Sequence, residues 1–169
     1  MATPVRTSRL LLEPLSAEHA VEAFPLFDDE RLHVWTGGRP PSPDELRERF
    51  RRQAVGHSPD GRQGWLNWLL RRAGDRKLVG TVQATLTRPG PDGFDAELAW
   101  LVAVPYQGLG YGYEGAQAMA DWLRSYGVNR LAAHIHPAHD ASIRIARALG
   151  LAATDAVSGE GEVLWRDRG

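Results

Sequence analysis

The segment Ala99–Asp121, AWLVAVPYQGLGYGYEGAQAMAD, decides how the rest of the chain is read. An apolar run with the composition of a strand reaches Val104, and Pro105 stops it. Gly108, Gly110 and Gly112 then alternate with Leu109 and Tyr111, and a helical pattern follows to about Ser125. Glycines let a backbone approach a ligand closely. The first turn of a helix adds unpaired N–H groups at the positive end of its dipole. Strand, glycine-rich turn and helix in that order make an anion site, most naturally for a pyrophosphate. A bare strand-to-helix turn needs fewer glycines than this.

The flanking segments narrow the choice of phosphate ligand. Trp65–Arg71, Leu78–Thr87 and Glu97–Val104 read as strands, joined by turns at Ala73–Asp75 and Pro89–Gly93 that are too short for a crossover. They predict an antiparallel meander. Gly110–Gly115 satisfies G-x-G-x-x-G as a string, but a dinucleotide site needs a parallel βαβ unit and an acidic residue about 20 positions on. Here the next strand ends in His134-Ile135-His136. No Gly-Lys-Ser/Thr occurs, so a Walker loop is excluded too.

Outside this region, Arg9–Glu13 predicts a short opening strand, and Ser16 caps a helix running to about Phe27. A second helix covers Pro43 to about Ala54. After the long helix at Gly110–Ser125 come a strand at Arg130–Ile135, a helix at Asp140–Leu149 and a last strand at Glu162–Arg166. No repeat or linker divides the chain, so 1–169 reads as one domain. Hydrophobic residues make up 43%, charged residues 24%, and the formal net charge is −1. That balance argues against a nucleic-acid partner. No apolar run approaches the roughly 20 residues of a membrane span, and the N-terminus has no signal-peptide core. The expectation is a soluble, cytoplasmic protein with no membrane partner. There is no cysteine, which excludes disulfides, thiolate metal sites and a cysteine nucleophile.

Gln107-Gly108-Leu109-Gly110-Tyr111-Gly112 resembles the Q/R-x-x-G-x-G/A signature of the GNAT N-acetyltransferases. Thr7–Leu15, Val79–Val82, Ala96–Trp100 and Ile135–Leu151 resemble further segments of that family, in order, and point to its branch acting on N-termini of ribosomal proteins. The resemblance implies a bacterial enzyme with an α/β (α+β) fold. Its sheet would be mixed and mostly antiparallel, with about six to seven strands and about four flanking helices, splayed between the fourth and fifth strands. It implies acetyl-CoA as co-substrate, with no metal. Amides of Gln107, Gly108, Leu109, Gly110, Tyr111 and Gly112 would hold the pyrophosphate, and the backbone near Leu101, Val102 and Val104 would pair with the pantetheine arm.

Direct transfer to an amine needs a base for the ammonium, a donor for the oxyanion and an acid for the departing thiolate. The resemblance puts Glu97 first as base, through water, with Asp95 the weaker alternative; a solvated strand carboxylate is the plain reading of either. A backbone N–H near Val102 serves the oxyanion. Ser142 stands where the branch places a serine against the coenzyme sulfur, since Ile143–Ala146 lacks the tyrosine many members use. His139 replaces the motif's asparagine, either as a substitute donor to the pantetheine or as an acid or base.

The acceptor pocket is expected from His33, Trp35, Trp65, Asn67 and Trp100, with Trp65, Trp68 and Trp100 forming an aromatic wall. Arg47, Arg49, Arg51 and Arg52 cluster on the second helix and read as a solvated face or a contact for an acidic partner. His134, His136 and His139 raise a metal reading, with Asp140 the nearest acid, but the resemblance assigns this region to coenzyme A. The acceptor is a protein N-terminus or a small-molecule amine, and the chain works as a monomer or homodimer. A non-catalytic acyl-CoA-binding module is the alternative of a different class. A tRNA-dependent role would demand a concentrated basic surface.

Overall fold

The meander forms as its short turns require. In the computed structural model, which describes residues 1–35, 37–90 and 93–167, eight strands make one sheet. They are β1 (Val5–Arg6), β2 (Leu10–Pro14), β3 (Gln63–Arg72), β4 (Leu78–Gly90), β5 (Gly93–Val102), β6 (Val128–Ile135), β7 (Leu151–Val157) and β8 (Val163–Asp167). The spatial order is β1-β2-β3-β4-β5-β6-β8-β7. Four helices flank it: α1 (Ala20–Phe27), α2 (Pro43–Ala54), α3 (Tyr111–Ser125) and α4 (Asp140–Ala148).

Local chemistry sets the helix starts. Ser42 Oγ accepts from the Glu45 N–H at 3.2 Å, Glu45 returns to the Ser42 N–H at 2.7 Å, and Pro43 fills the first helical position of α2. Ser16 heads a 3₁₀ turn, Ala17–His19, before α1 begins, so the first predicted helix is shorter than expected.

Alternation along the strands divides the core into two layers. Leu66, Trp68 and Leu70 of β3, with Ala96 and Leu98 of β5, pack against Met119 and Leu123 of α3. On the opposite face Leu69 packs with Ala23 and Phe27 of α1 and Leu46 and Phe50 of α2.

Within this mixed α/β sheet β5 and β6 are the parallel pair, connected through α3. Their ladder runs from Phe94↔Val128 only as far as Glu97↔Ala132. Past that point β6 keeps pairing with β8, through Ile135↔Val163, while β5 stays paired with β4 through Gly80↔Val102. The sheet therefore splits between the strands predicted as fourth and fifth.

Three boundaries differ from the reading above. There are eight strands rather than six to seven: β1 has two residues, and β7 is an edge strand burying only Leu151, so neither carries an apolar signature. Strand β5 begins at Gly93, so Glu97 sits in its middle. It also ends at Val102, and Val104 opens a 3₁₀ turn, Val104–Tyr106, instead of extending the strand. Of the predicted turn at Pro89–Gly93, Pro91 and Asp92 lie outside the described residues. Among the described residues no helix is long and apolar enough to cross a membrane.

Candidate active site

The glycine loop joins the end of β5 to α3. Gly108 and Gly110 have φ of 75° and 84°, left-handed values that strain any side chain with a Cβ, and Gly110 caps α3. Among the described residues the N–H groups of Gly108 through Tyr113 find no acceptor in the protein; the first helical bond is Glu114 N–H to Gly110 O at 3.0 Å. A row of free amides at a helix start suits a pyrophosphate.

A clamp from the distant N-terminal segment holds this loop, and sequence reading missed it. Glu114 accepts from Thr7 Oγ1 at 2.6 Å, the Arg9 N–H at 2.9 Å and Arg9 Nε at 2.6 Å. Arg9 also donates to the Leu109 carbonyl at 2.9 Å. These bonds hold the Glu114 carboxyl below the usual carboxylate range, although its partial burial opposes the shift. From inside the loop, Gln107 Nε2 donates to the Val102 carbonyl at 3.0 Å, tying the cradle to the end of β5.

Where β5 and β6 part, a cleft of about 550 Å³ opens beside the cradle. Leu101, Val102, Gln107, Gly110, His139 and Ser142 all line it. Tyr111 lines it too but is 8% exposed and packs in the core under Arg9. Ser142, in the first turn of α4, is buried, and its Oγ accepts from Trp100 Nε1 at 3.1 Å. Because the indole can only donate, the serine hydroxyl proton is left free to point elsewhere. This bond crosses the split between the two strands.

His139 immediately precedes α4, and Trp35 stacks on it at 5.2 Å with the rings 13° apart. Trp35 also tilts against His136 at 5.1 Å. Burial first, and then the neighbouring His136, lowers the His139 pKa, so its ring is neutral at pH 7. Trp35, expected in the acceptor pocket, instead lines this cleft beside the glycine loop.

A second cavity, of about 440 Å³, lies between α2 and the sheet. His33 and Asn67 line it, together with Arg49, Gln53 and Gln83. Leu32, Trp100 and Leu101 border both spaces, so the two meet at the split. Among the described residues no Asp or Glu lines this second cavity.

The three tryptophans do not form one aromatic wall: Trp68 and Trp100 both border the second cavity, and Trp65 does not. Trp65 and Trp68 are three residues apart on a strand and point to opposite faces. Trp68 is fully buried against Trp122, while Trp65 lies in the row with Thr85 and Glu97, outside both cavities.

Glu97 lies outside both cavities as well, on the same face of β5 as Ala99, which lines the second one. Its carboxylate meets His134 Nδ1 at 2.8 Å across the parallel pair. Asp95 is held by Arg130 at 2.8 Å. The three histidines do not converge: His134 goes to Glu97, while His136 and His139 go to Trp35. Among the described residues no group of three or more potential ligands could hold a metal ion.

A mixed sheet split at its parallel β5–β6 pair, with an open amide cradle beside the split, forms a cleft suited to a long ligand that carries a pyrophosphate. The family model described as "Acetyltransferase (GNAT) domain" matches residues 9–152, and the chain belongs to that family, whose co-substrate is acetyl-CoA. No curated protein matches the chain. Among solved structures it is similar to RimL, a ribosomal L7/L12 α-N-protein acetyltransferase in complex with coenzyme A. That match has 14% identity, covers 97% of each chain and has a TM-score of 0.82. The ribosomal-protein-S5-alanine acetyltransferase from Vibrio fischeri matches at 17% identity over 98% of this chain and 96% of that one, with a TM-score of 0.75. AAC(6′)-Ib in complex with paromomycin and acetyl-CoA matches at 14% identity over 92% and 91%, with a TM-score of 0.74.

Proposed function

We propose that this protein is a bacterial, cytoplasmic N-acetyltransferase that moves an acetyl group from acetyl-CoA directly onto a primary amine, working as a single domain. The observation carrying this reading is the junction of two cavities at Leu32, Trp100 and Leu101, where the sheet splits. It suits two substrates bound together and reacting across one wall. Acetyl-CoA supplies an activated thioester; the chain supplies position and proton transfer.

In this reading the amides of Gly108 to Gly112 hold the pyrophosphate, without the expected amide of Gln107, which donates to the Val104 carbonyl at 3.3 Å, and the end of β5 at Leu101–Val102 guides the pantetheine arm toward the junction. A C–N bond forms as the C–S bond breaks. The nitrogen gives up two protons, one as the ammonium before attack and one as the tetrahedral adduct collapses; the first leaves through the base and the second makes good the proton that reaches the coenzyme thiolate. Glu97 is the base, through water, because Arg130 occupies Asp95. Its pairing with His134 gives the proton a second place to rest. Ser142 is the acid, its hydroxyl proton freed by the Trp100 bond. Neutral His139 stands in for the asparagine of the family motif as a donor lining the cleft. A backbone N–H near Val102 meets the oxyanion.

For the acceptor, the ribosomal-protein relatives support a peptide N-terminus and the AAC(6′)-Ib likeness supports a small-molecule amine. The cavity chemistry separates these further. A polycationic amine needs carboxylates, and none of the described residues lining this cavity carries one. A compact monoamine or a peptide N-terminus fits better than an aminoglycoside or polyamine.

Thiol release from acetyl-CoA across a panel of peptides and small amines tests the proposal, with Glu97→Gln and Ser142→Ala alongside. Turnover on one class, lost in Glu97→Gln, is the expected result. Binding without turnover on any acceptor would leave an acyl-CoA-binding module. No thermal shift with saturating acetyl-CoA would overturn the reading altogether.

A further inference from the structure

The four arginines of α2 are not equivalent. Arg47, Arg51 and Arg52 are exposed, and Arg51 pairs with Glu48 at 2.8 Å. Arg49 is half-buried on the face that carries Gln53, one turn on, toward the sheet. Its guanidinium lies 5.0 Å from the centre of the Phe27 ring, and among the described residues it has no hydrogen bond or ion pair. Glu45, one turn before it on the helix, is occupied by Arg39 at 2.7 and 2.9 Å and by the Ser42 N–H, and Glu48 by Arg51.

Withdrawing a guanidinium from water without a counter-charge is unfavourable, and an exposed rotamer is open to any arginine on a surface helix. Burial, reinforced by the like charge of Arg52, lowers the Arg49 pKa from its ordinary value. The side chain still carries its charge at neutral pH. It lines the second cavity beside three amides whose own bonds are long: Gln53 Nε2 to Gln83 Oε1 at 3.4 Å and Asn67 Nδ2 to the Gln53 carbonyl at 3.5 Å. Such donors have capacity to spare.

We infer that this cavity takes an amine acceptor that also carries a carboxylate, with Arg49 binding the carboxylate while the reacting nitrogen lies at the Trp100–Leu101 wall. The inference rests on the acetyltransferase reading and gives its acceptor a chemical class. A planar fork facing a cavity suits bidentate recognition of a carboxylate, and the positive field turns away polycations. Two sources share this chemistry: a free amino acid, or a peptide with an acidic residue beside its N-terminus.

The test uses matched pairs that differ only in that charge: amino acids against their amides, and peptides with Asp or Glu near the N-terminus against Asn or Gln. Wild type should favour the carboxylate member by about 10- to 100-fold in kcat/KM, the range of a charge-assisted bond. In Arg49→Gln that ratio should fall toward one, mainly through KM, and in Arg49→Glu it should invert. The pair giving the larger ratio identifies the source. A melting temperature unchanged or raised in Arg49→Gln shows that the loss is not misfolding.

Saturable thermal stabilisation by each pair, measured with coenzyme A present, separates the two readings. If no acceptor turns over but carboxylate members still stabilise wild type and not Arg49→Gln, the site stands and acyl transfer fails. If wild type prefers the amides, or Arg49→Gln weakens both members equally, or no carboxylate member binds, the inference is overturned.

Discussion

Ser142→Ala is the sharpest probe of the chemistry assigned to the split. Ser142 is 7% exposed, and its hydroxyl accepts from Trp100 Nε1 at 3.1 Å. Its removal forfeits a net bond and strands an indole N–H, together about 1–2 kcal/mol because Trp100 is only half-buried. For a chain of this size that lowers Tm by roughly 2–8 °C. The kinetic effect should be far larger. Loss of the acid for the departing thiolate should reduce kcat at least about 100-fold, or about 2.7 kcal/mol, within the range of a general acid. KM for acetyl-CoA should stay within about threefold if the serine acts on the leaving group rather than in ground-state binding. Trp100→Phe keeps the hydroxyl but frees it to rotate, so kcat should fall only about 3- to 10-fold. The double variant should then be no slower than Ser142→Ala alone, because the indole acts through the serine. Initial-rate thiol release on all four proteins decides this. A wild-type kcat in Ser142→Ala, or a double variant showing the product of the single losses, would refute the assignment.

Three further outcomes follow from the charge networks. Glu114→Ala breaks the clamp on the glycine loop; KM for acetyl-CoA should rise about tenfold and stability fall by about 1–3 kcal/mol, read by kinetics and urea unfolding. Arg71→Leu removes the buried guanidinium that holds Glu13 at 2.7 Å and Glu22 at 2.8 Å. Because Glu22 is half exposed, the cost should be about 2–3 kcal/mol, below that of a fully buried pair. The bond from Arg71 lowers the Glu22 pKa. That stability is therefore present above the ordinary pKa of 4.5 and lost as pH falls through the folded value, and a pH series of melts on Arg71→Leu should show a flatter acid limb. The lowered pKa of His139 has a parallel consequence: the unfolded chain binds its proton first as pH falls below about 6.5, so stability declines from there down through the folded value. His139→Asn should remove that slope, and wild-type and variant unfolding free energies at pH 7.5 and 5.5 should differ in it.

Much of the architecture was legible because its signals are local. Short turns force antiparallel pairing, so the meander could be read from spacing, and three alternating glycines mark the cradle. Strand β7 was missed because an edge strand that buries only Leu151 has no apolar pattern to detect. Strand β1 was missed because two residues cannot show one. The functional residues found late, Arg9 and Glu114, act together across 105 positions, and no local pattern ties them.

By itself, then, the amino-acid order determined the elements, the glycine cradle and the absence of thiol chemistry, all of which depend on residue type and near-neighbour spacing. The tertiary structure decided which side chains share a space. The parallel register Glu97↔Ala132 delivers His134 to Glu97, and the alternation of β3 parts Trp65 from Trp68. Trp35 reaches across to His136 and His139 ahead of α4, while His33, two residues before it, lines the second cavity. Burial against Phe27 singles out Arg49 from three arginines that look the same in the sequence. Each of these turns on strand register, facing and distance between remote segments, quantities that exist only once the sheet has closed around its core.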